Sequence, residues 1–318
     1  MNPLYLALEL GAAAFFLLAG WLAFRRGRLP FLELVSAATF GLLLEEGDQL
    51  IFETYHYSSD FILAIDRAPV VIGLTWAVII AGAMRITDAI GIRRRYAPVV
   101  DSVLAIMLDL AFDAVAIRMG LWTWRGIGTD AGWFGVPAGN FYAWLFVTFA
   151  FSLVTRAIRD RAVDRPGLEW AQLLVPLPAF GILLFSLVPF SLLQPIFDPG
   201  AGEGLGLFAI ALVGFLAVAA WAIWGPHRGL PDGAQSAILD LRLTFLTRLG
   251  IHLFFLGALV VTGIAAREPM LLVVALVLLG AEAPLSALVH RRLRDREPMV
   301  GAERTRANVA GGETAALP

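Results

Sequence analysis

Seven carboxylates sit in two stretches of chain that are otherwise apolar. The first carries Glu45, Glu46, Asp48 and Glu53, with Gln49 among them and His56 just beyond; the second carries Asp101, Asp109 and Asp113. At roughly 100° per residue on a helix, Glu45, Glu46, Gln49, Glu53 and His56 fall within one arc of about 100°, and Asp48 lies off it. Asp109 and Asp113 are four residues apart and stack on one helix face. A charge near the centre of a bilayer costs at least about 2.5–3.5 kcal/mol on insertion scales, which makes such groups functional candidates by default. Carboxyls crowded into one dry cavity repel each other and lose hydration, which leaves one of them protonated at neutral pH and suited to donate a proton. The plainer reading is that they pair with Arg85 or Arg118, or line a wet vestibule. Glu33 and Asp88, close to helix ends, read as snorkelling or capping groups.

After the second acidic stretch come Leu121, Trp122, Thr123 and Trp124, then an aromatic run from Gly132 to Trp144 that includes Trp133, Phe134, Phe141 and Tyr142. Trp and Tyr collect at membrane interfaces in any case. Beside a proton-donating acid, however, aromatic faces also stabilise a developing carbocation through cation–π attraction. Gly135, Pro137 and Gly139 imply a constrained turn, and Asn140, just before an apolar run, reads as a helix cap.

The elements that must position these groups are membrane spans. A bilayer core needs roughly 20 mostly apolar residues per helix. Such stretches lie near 4–24, 31–54, 68–89, 97–119, 138–157, 169–195, 204–224, 245–266 and 268–289. The sequence therefore predicts an all-α polytopic integral membrane protein of nine transmembrane helices, or eight if the last two, separated by a tight turn at 266–268, form one. Every basic residue is arginine. This set of spans puts Arg67, Arg118, Arg125 and Arg267 on one side and the other 20 arginines on the opposite one. By the positive-inside rule the N-terminus is outside and the C-terminus cytoplasmic. The two acidic helices then run in the same direction, with Glu45 and Glu46 about 14 residues in and Asp109 about 12, at similar depth in the outer half of the membrane. They are placed to share one cavity.

Of the 318 residues, 59% are hydrophobic and mean hydropathy is +0.77, too apolar for an ordinary water-facing surface. Residues 1–296 read as one transmembrane helical domain in the plasma membrane, and 297–318 as a disordered cytoplasmic tail. The first apolar stretch has no charged segment before it and arginines after it, so it reads as a retained span rather than a signal peptide. A net charge of −2 provides no basic field for nucleic acid. There is no cysteine, and His56, His227, His252 and His290 are too scattered for a metal-ligand pattern.

The run Asp109-x-x-x-Asp113, Gly120-Leu121-Trp122-Thr123-Trp124 and Phe134-Gly135-Val136-Pro137-Ala138-Gly139-Asn140-Phe141-Tyr142-Ala143-Trp144 resembles the carotenoid biosynthesis membrane-protein family, which includes bisanhydrobacterioruberin hydratase-like and carotenoid 1'-hydratase-like members. The acidic second span, Tyr55-His56-Tyr57, Pro69 and Trp76 fit the upstream part of that pattern, so the resemblance covers roughly 40–160. Ala114 and Tyr142 depart from it, standing where proline and glycine are common. The resemblance implies addition of water to the terminal double bond of an acyclic carotenoid end group, giving a tertiary alcohol without a cofactor or metal. In that reading Asp109 or Asp113 protonates the alkene, and Trp122, Trp124 and Trp144 shield the cation. Glu46 or Glu53, with Glu45 in the same set, orients and deprotonates water, which Asn140 holds. His56, Trp76 and Tyr142 complete the substrate site, and the carotenoid enters sideways from the bilayer.

Two other readings compete. Asp109-x-x-x-Asp113 is a spacing that holds magnesium in an intramembrane prenyltransferase, but a diphosphate also wants cations, and the arginines gather on the other side. A proton-coupled transporter would use the acids as a relay, with helices broken at Pro176, Pro178 and Pro189.

Overall fold

The structure is a computed structural model that describes residues 3–129, 131–165, 167–197, 204–225 and 234–294, without the side chains of 234–238. Its helices are α1 (Pro3–Arg26), α2 (Arg28–Ile51), α3 (Val70–Ile90), α4 (Ala97–Arg118), α5 (Ala138–Asp164), α6 (Pro176–Phe197), α7 (Leu205–Trp224), α8 (Ala234–Val261), the single turn α9 (Ile264–Arg267) and α10 (Pro269–Arg294). Short strands β1 (Tyr55–Tyr57), β2 (Ala64–Ile65), β3 (Ala68–Pro69) and β4 (Trp122–Trp124) lie in the loops. The expected tail, 297–318, lies outside the described residues.

The protein is an all-α polytopic membrane protein. Among the described residues, seven helices are long and apolar enough to cross a bilayer: α1, α3, α5, α6, α7, residues 239–261 of α8, and α10. Helices α2 and α4 are equally long, at 24 and 22 residues, but carry the acids. The chain resolves this conflict by burial: α4 is almost wholly enclosed by its neighbours, whereas the outer helices show side chains such as Phe185 and Trp224 to their surroundings. That distribution suits a lipid-facing surface.

Helix α2 ends at Ile51, short of the predicted 54. The amides of Phe52 and Glu53 both bond back to Asp48 O at 2.8 Å, and Glu53 turns the chain at φ 51°. Glu53 and His56 therefore leave the helical arc on which the sequence had set them, because strand pairing downstream takes over from the helical period. The predicted span 169–195 divides into a 3-10 turn (Leu168–Leu174) and α6. Pro176 and Pro178 occupy the first turn of α6, where a missing N–H costs no hydrogen bond. Pro189 sits inside the helix without ending it.

Close packing of α2 on α3 sets the register of the site. A Cβ on Gly41 would fall 2.6 Å from Trp76 Cβ, and one on Gly73 would fall 2.5 Å from Leu42 Cγ. Only glycine allows helices this near. The contact lays Trp76 beside Glu45, one turn beyond Gly41.

Arginines lock the rest. Glu33 and Asp88 do not act as free capping groups; both pair with Arg159, at 2.7 and 2.8 Å, and Asp88 also meets Arg156. Arg156 reaches buried Asp101 at 3.0 Å. Arg85 approaches Asp240, which also pairs with Arg26, and Arg118 meets Glu268 at 3.0 Å. Arg248 joins Glu282 at 2.7 Å and donates to Leu104 O at 2.8 Å, tying α8 to α10 and α4. Neither Arg85 nor Arg118 pairs with the acids of the site.

Candidate active site

Strands β1 and β4 pair antiparallel across the bundle end where α2 and α4 finish, with Tyr55 opposite Trp124 and Tyr57 opposite Trp122. Alternation along a strand sends successive side chains to opposite faces. The two tyrosines and two tryptophans are part-buried, while His56 and Thr123 between them are exposed. Beneath this aromatic ladder lies a cavity of about 70 Å³. Its walls include Glu45, Trp76, Asp109, Phe112, Asp113, Asn140 and Trp144, together with the four ladder aromatics.

Glu45 is fully engaged. Tyr55 and Tyr57 both donate their hydroxyls to its Oε2, and Trp76 Nε1 donates to Oε1 at 2.6 Å. Burial, and next the neighbouring Glu45 carboxylate, push both phenols well above the ordinary tyrosine range, so they stay O–H donors. Asp113 receives Trp122 Nε1 at 2.9 Å and Asn140 Nδ2 at 2.6 Å. Asp109 is the least satisfied of the three: Asn140 Nδ2 lies 3.4 Å from its Oδ2, and its Oδ1 is buried with no partner. Trp124 Nε1 is likewise buried and unpartnered. Trp76 and Trp144 pack against each other with ring centroids 4.0 Å apart and planes tilted by 33°, and Phe112 meets the edge of Trp144 at 5.7 Å.

The loop before α5 aims Asn140. Arg118 donates to Ala114 O, Phe134 O and Thr129 O as well as to Glu268, and Trp133 Nε1 donates to Leu110 O at 2.9 Å. Gly135 adopts φ 81°, and a Cβ there would fall 2.9 Å from Thr129 Cα. The residue capping α5 is Pro137, not Asn140. Asn140 lies in the first turn and spends its side chain on the aspartates instead.

The structure thus brings together Glu45, Asp109, Asp113, Trp76, Trp122, Trp124, Asn140 and Trp144. It leaves four other sequence candidates outside. Glu46 accepts the Arg67 and Ala68 amides at 3.2 and 3.0 Å, holding the β2–β3 turn. Glu53 is half-exposed and paired with Arg125 at 2.5 Å. His56 is exposed, and Tyr142 donates to Ser186 O at 3.2 Å beside Phe190. The tyrosine hydroxyls on Glu45 were missed as site groups; Tyr-x-Tyr and Trp-x-Trp, both of period two, were the signal for a paired ladder. Among the described residues no group of three or more acidic or histidine side chains is placed to hold a metal ion.

This arrangement can hold an uncharged apolar group between aromatic faces and pass a proton to or from it. No arginine lines the cavity, which disfavours a diphosphate. A family model described as carotenoid biosynthesis protein matches residues 1–198. No curated protein and no solved structure matches the chain.

Proposed function

We propose that this chain, which belongs to the carotenoid biosynthesis protein family, is a plasma-membrane hydratase. It adds water to the terminal double bond of an acyclic carotenoid end group by acid catalysis and needs no cofactor. The observation that carries this reading is the grouping of Glu45, Asp109 and Asp113 with four tryptophans around one small cavity.

Asp109 is the proton donor in this reading. A buried carboxylate with an unpartnered oxygen is costly as an anion, which favours the neutral acid. Its proton adds to the less substituted alkene carbon. The π electrons form the new C–H bond and leave a tertiary cation on the neighbouring carbon. The faces of Trp76, Trp122, Trp124 and Trp144 are disposed to attract that cation. Water adds to the cation, and Asp113 takes the released proton. Asn140, bonded to both aspartates, keeps donor and acceptor in register while the proton returns to Asp109. The net change is one water added. Glu45, held by three donors, supplies a fixed negative charge that favours the cation.

The test is expression in cells that make acyclic carotenoids, grown in isotopically labelled water, with mass spectrometry of the pigments. Labelled tertiary alcohols are expected with the wild-type chain and absent with Asp109→Asn. Absence of labelled alcohol from every acyclic carotenoid in the wild-type cells would rule out the hydratase.

A further inference from the structure

A second cavity, of about 100 Å³, lies between α1, α3 and α8. Ile72, Thr75, Phe112 and Trp122 belong to the walls of both cavities, so the two adjoin. Their chemistry differs sharply. The acid cavity is lined by carboxylates and donors, whereas the second is walled by Ala, Leu, Gly, Val, Ile and Phe, with three polar side chains. All three are already spent. Thr75 Oγ1 donates to Val71 O and Thr247 Oγ1 to Leu243 O, each at 2.9 Å within its own helix, and Trp122 Nε1 donates to Asp113. The lining therefore has no free side-chain donor to offer a ligand, and a strongly polar occupant would be left largely unsatisfied. Glycines keep the space open: a Cβ on Gly11 of α1 would meet nothing within 4 Å, and one on Gly250 of α8 would come to 3.0 Å from the Phe15 ring.

We infer that this second cavity is the site for the linear isoprenoid tail of the molecule whose end group sits among the acids. The tail threads from the acids past Phe112 and Trp122 and out between α1, α3 and α8. The identity of the end group, and with it the isoprenoid nature of the tail, rests on the hydratase reading; the apolar character of the tail site rests on the lining. The inference also gives α8 a role. The family match ends at residue 198, yet Thr247, Gly250, Ile251, Phe254 and Phe255 form one wall of the tail site. The matched segment supplies the acids, and the remainder of the chain takes part in selecting the tail.

The experiment purifies wild-type protein and variants in detergent from cells making an acyclic carotenoid and reads bound pigment per protein by absorbance, with thermal melting alongside. Gly11→Leu introduces a better helix former into open space, so melting is expected to hold, while bound pigment falls about tenfold or more, equivalent to about 1.4 kcal/mol of lost affinity. Gly214→Leu, on an exposed face of α7, retains wild-type pigment. Pigment bound equally by Gly11→Leu and wild type would overturn the inference, as would wild-type protein that binds no polyene. Pigment bound by wild type and lost in Gly11→Leu, with no label incorporated by either, would uphold the tail site and remove the hydratase.

Discussion

Asn140 Nδ2 donates to Asp113 Oδ2 at 2.6 Å while lying 3.4 Å from Asp109 Oδ2, so one amide of α5 spans two carboxyls that share a face of α4. Removing it by Asn140→Ala takes a donor from both aspartates at once and leaves Asp113 with Trp122 alone. Turnover, read as labelled alcohol formed per unit protein, is expected to fall about 10²-fold, in line with loss of one preorganised donor. Asn140→Asp should fare no better, because a third carboxyl replaces the donor by a repelling group. Wild-type turnover in Asn140→Ala would show that the amide only packs the helices.

The acids singled out in the sequence are not equivalent in space. Asp109→Asn is expected to lower turnover by about 10²–10⁴-fold, the range for loss of a general acid. Glu53→Gln removes a half-exposed charge paired with Arg125 and should leave turnover within about twofold. Glu46→Gln should act on stability rather than chemistry, since Glu46 Oε2 holds the Arg67 and Ala68 amides; a cost of about 1–2 kcal/mol is expected. Equal loss of turnover at all three positions would contradict the cavity's division of labour.

Alkaline titration offers a test that needs no substrate. Burial and the Glu45 carboxylate raise Tyr55 and Tyr57 well above the usual phenol range. In the folded protein Tyr55 and Tyr57 should therefore fail to ionise where an exposed phenol does, at about pH 10. The sign for stability follows: above that pH the unfolded chain loses those protons and the folded chain keeps them. Stability should fall from about pH 10 until the folded values are reached. Ultraviolet difference absorbance of wild type against Tyr55→Phe and Tyr57→Phe would reveal the pair. Tyr55 and Tyr57 titrating near pH 10 would contradict the buried ladder.

Gly135→Ala places a Cβ 2.9 Å from Thr129 Cα at φ 81°. Strain of this kind costs about 1–3 kcal/mol. A lowered melting temperature should accompany lower turnover, because the same loop aims Asn140. Gly11→Ala, in open helical space, serves as the control that leaves melting unchanged or raised.

What the sequence reveals and what it hides follow from the range of the forces involved. The pairing of Asp109 with Asp113 on one helix face was legible because it depends only on the spacing of four. The choice between Glu45 and Glu46 was not, since both lie on the same arc and the close approach of Gly41 to Trp76 decides which one faces inward. Glu53 and His56 were assigned to a helix because the helical period was carried past Ile51, when Tyr55-x-Tyr57 already announced a strand. Asn140 resembles a cap by composition, but Pro137 takes that position, and only the fold shows that aspartates lie within its reach. The Arg248–Glu282 pair joins residues 34 positions apart and leaves no local trace at all.

The ion pairs described above also bear on where the chain can be divided. Arg26 and Arg85 both look to Asp240, Arg118 to Glu268, and Leu104 O to Arg248. Each partner lies beyond residue 198, where likeness to the family stops. A chain cut at that point would keep every acid of the site but take these ion-pair partners from Arg26, Arg85 and Arg118, the last two largely buried. A limit drawn by similarity of sequence is therefore no guide to where this membrane bundle can be severed and still assemble.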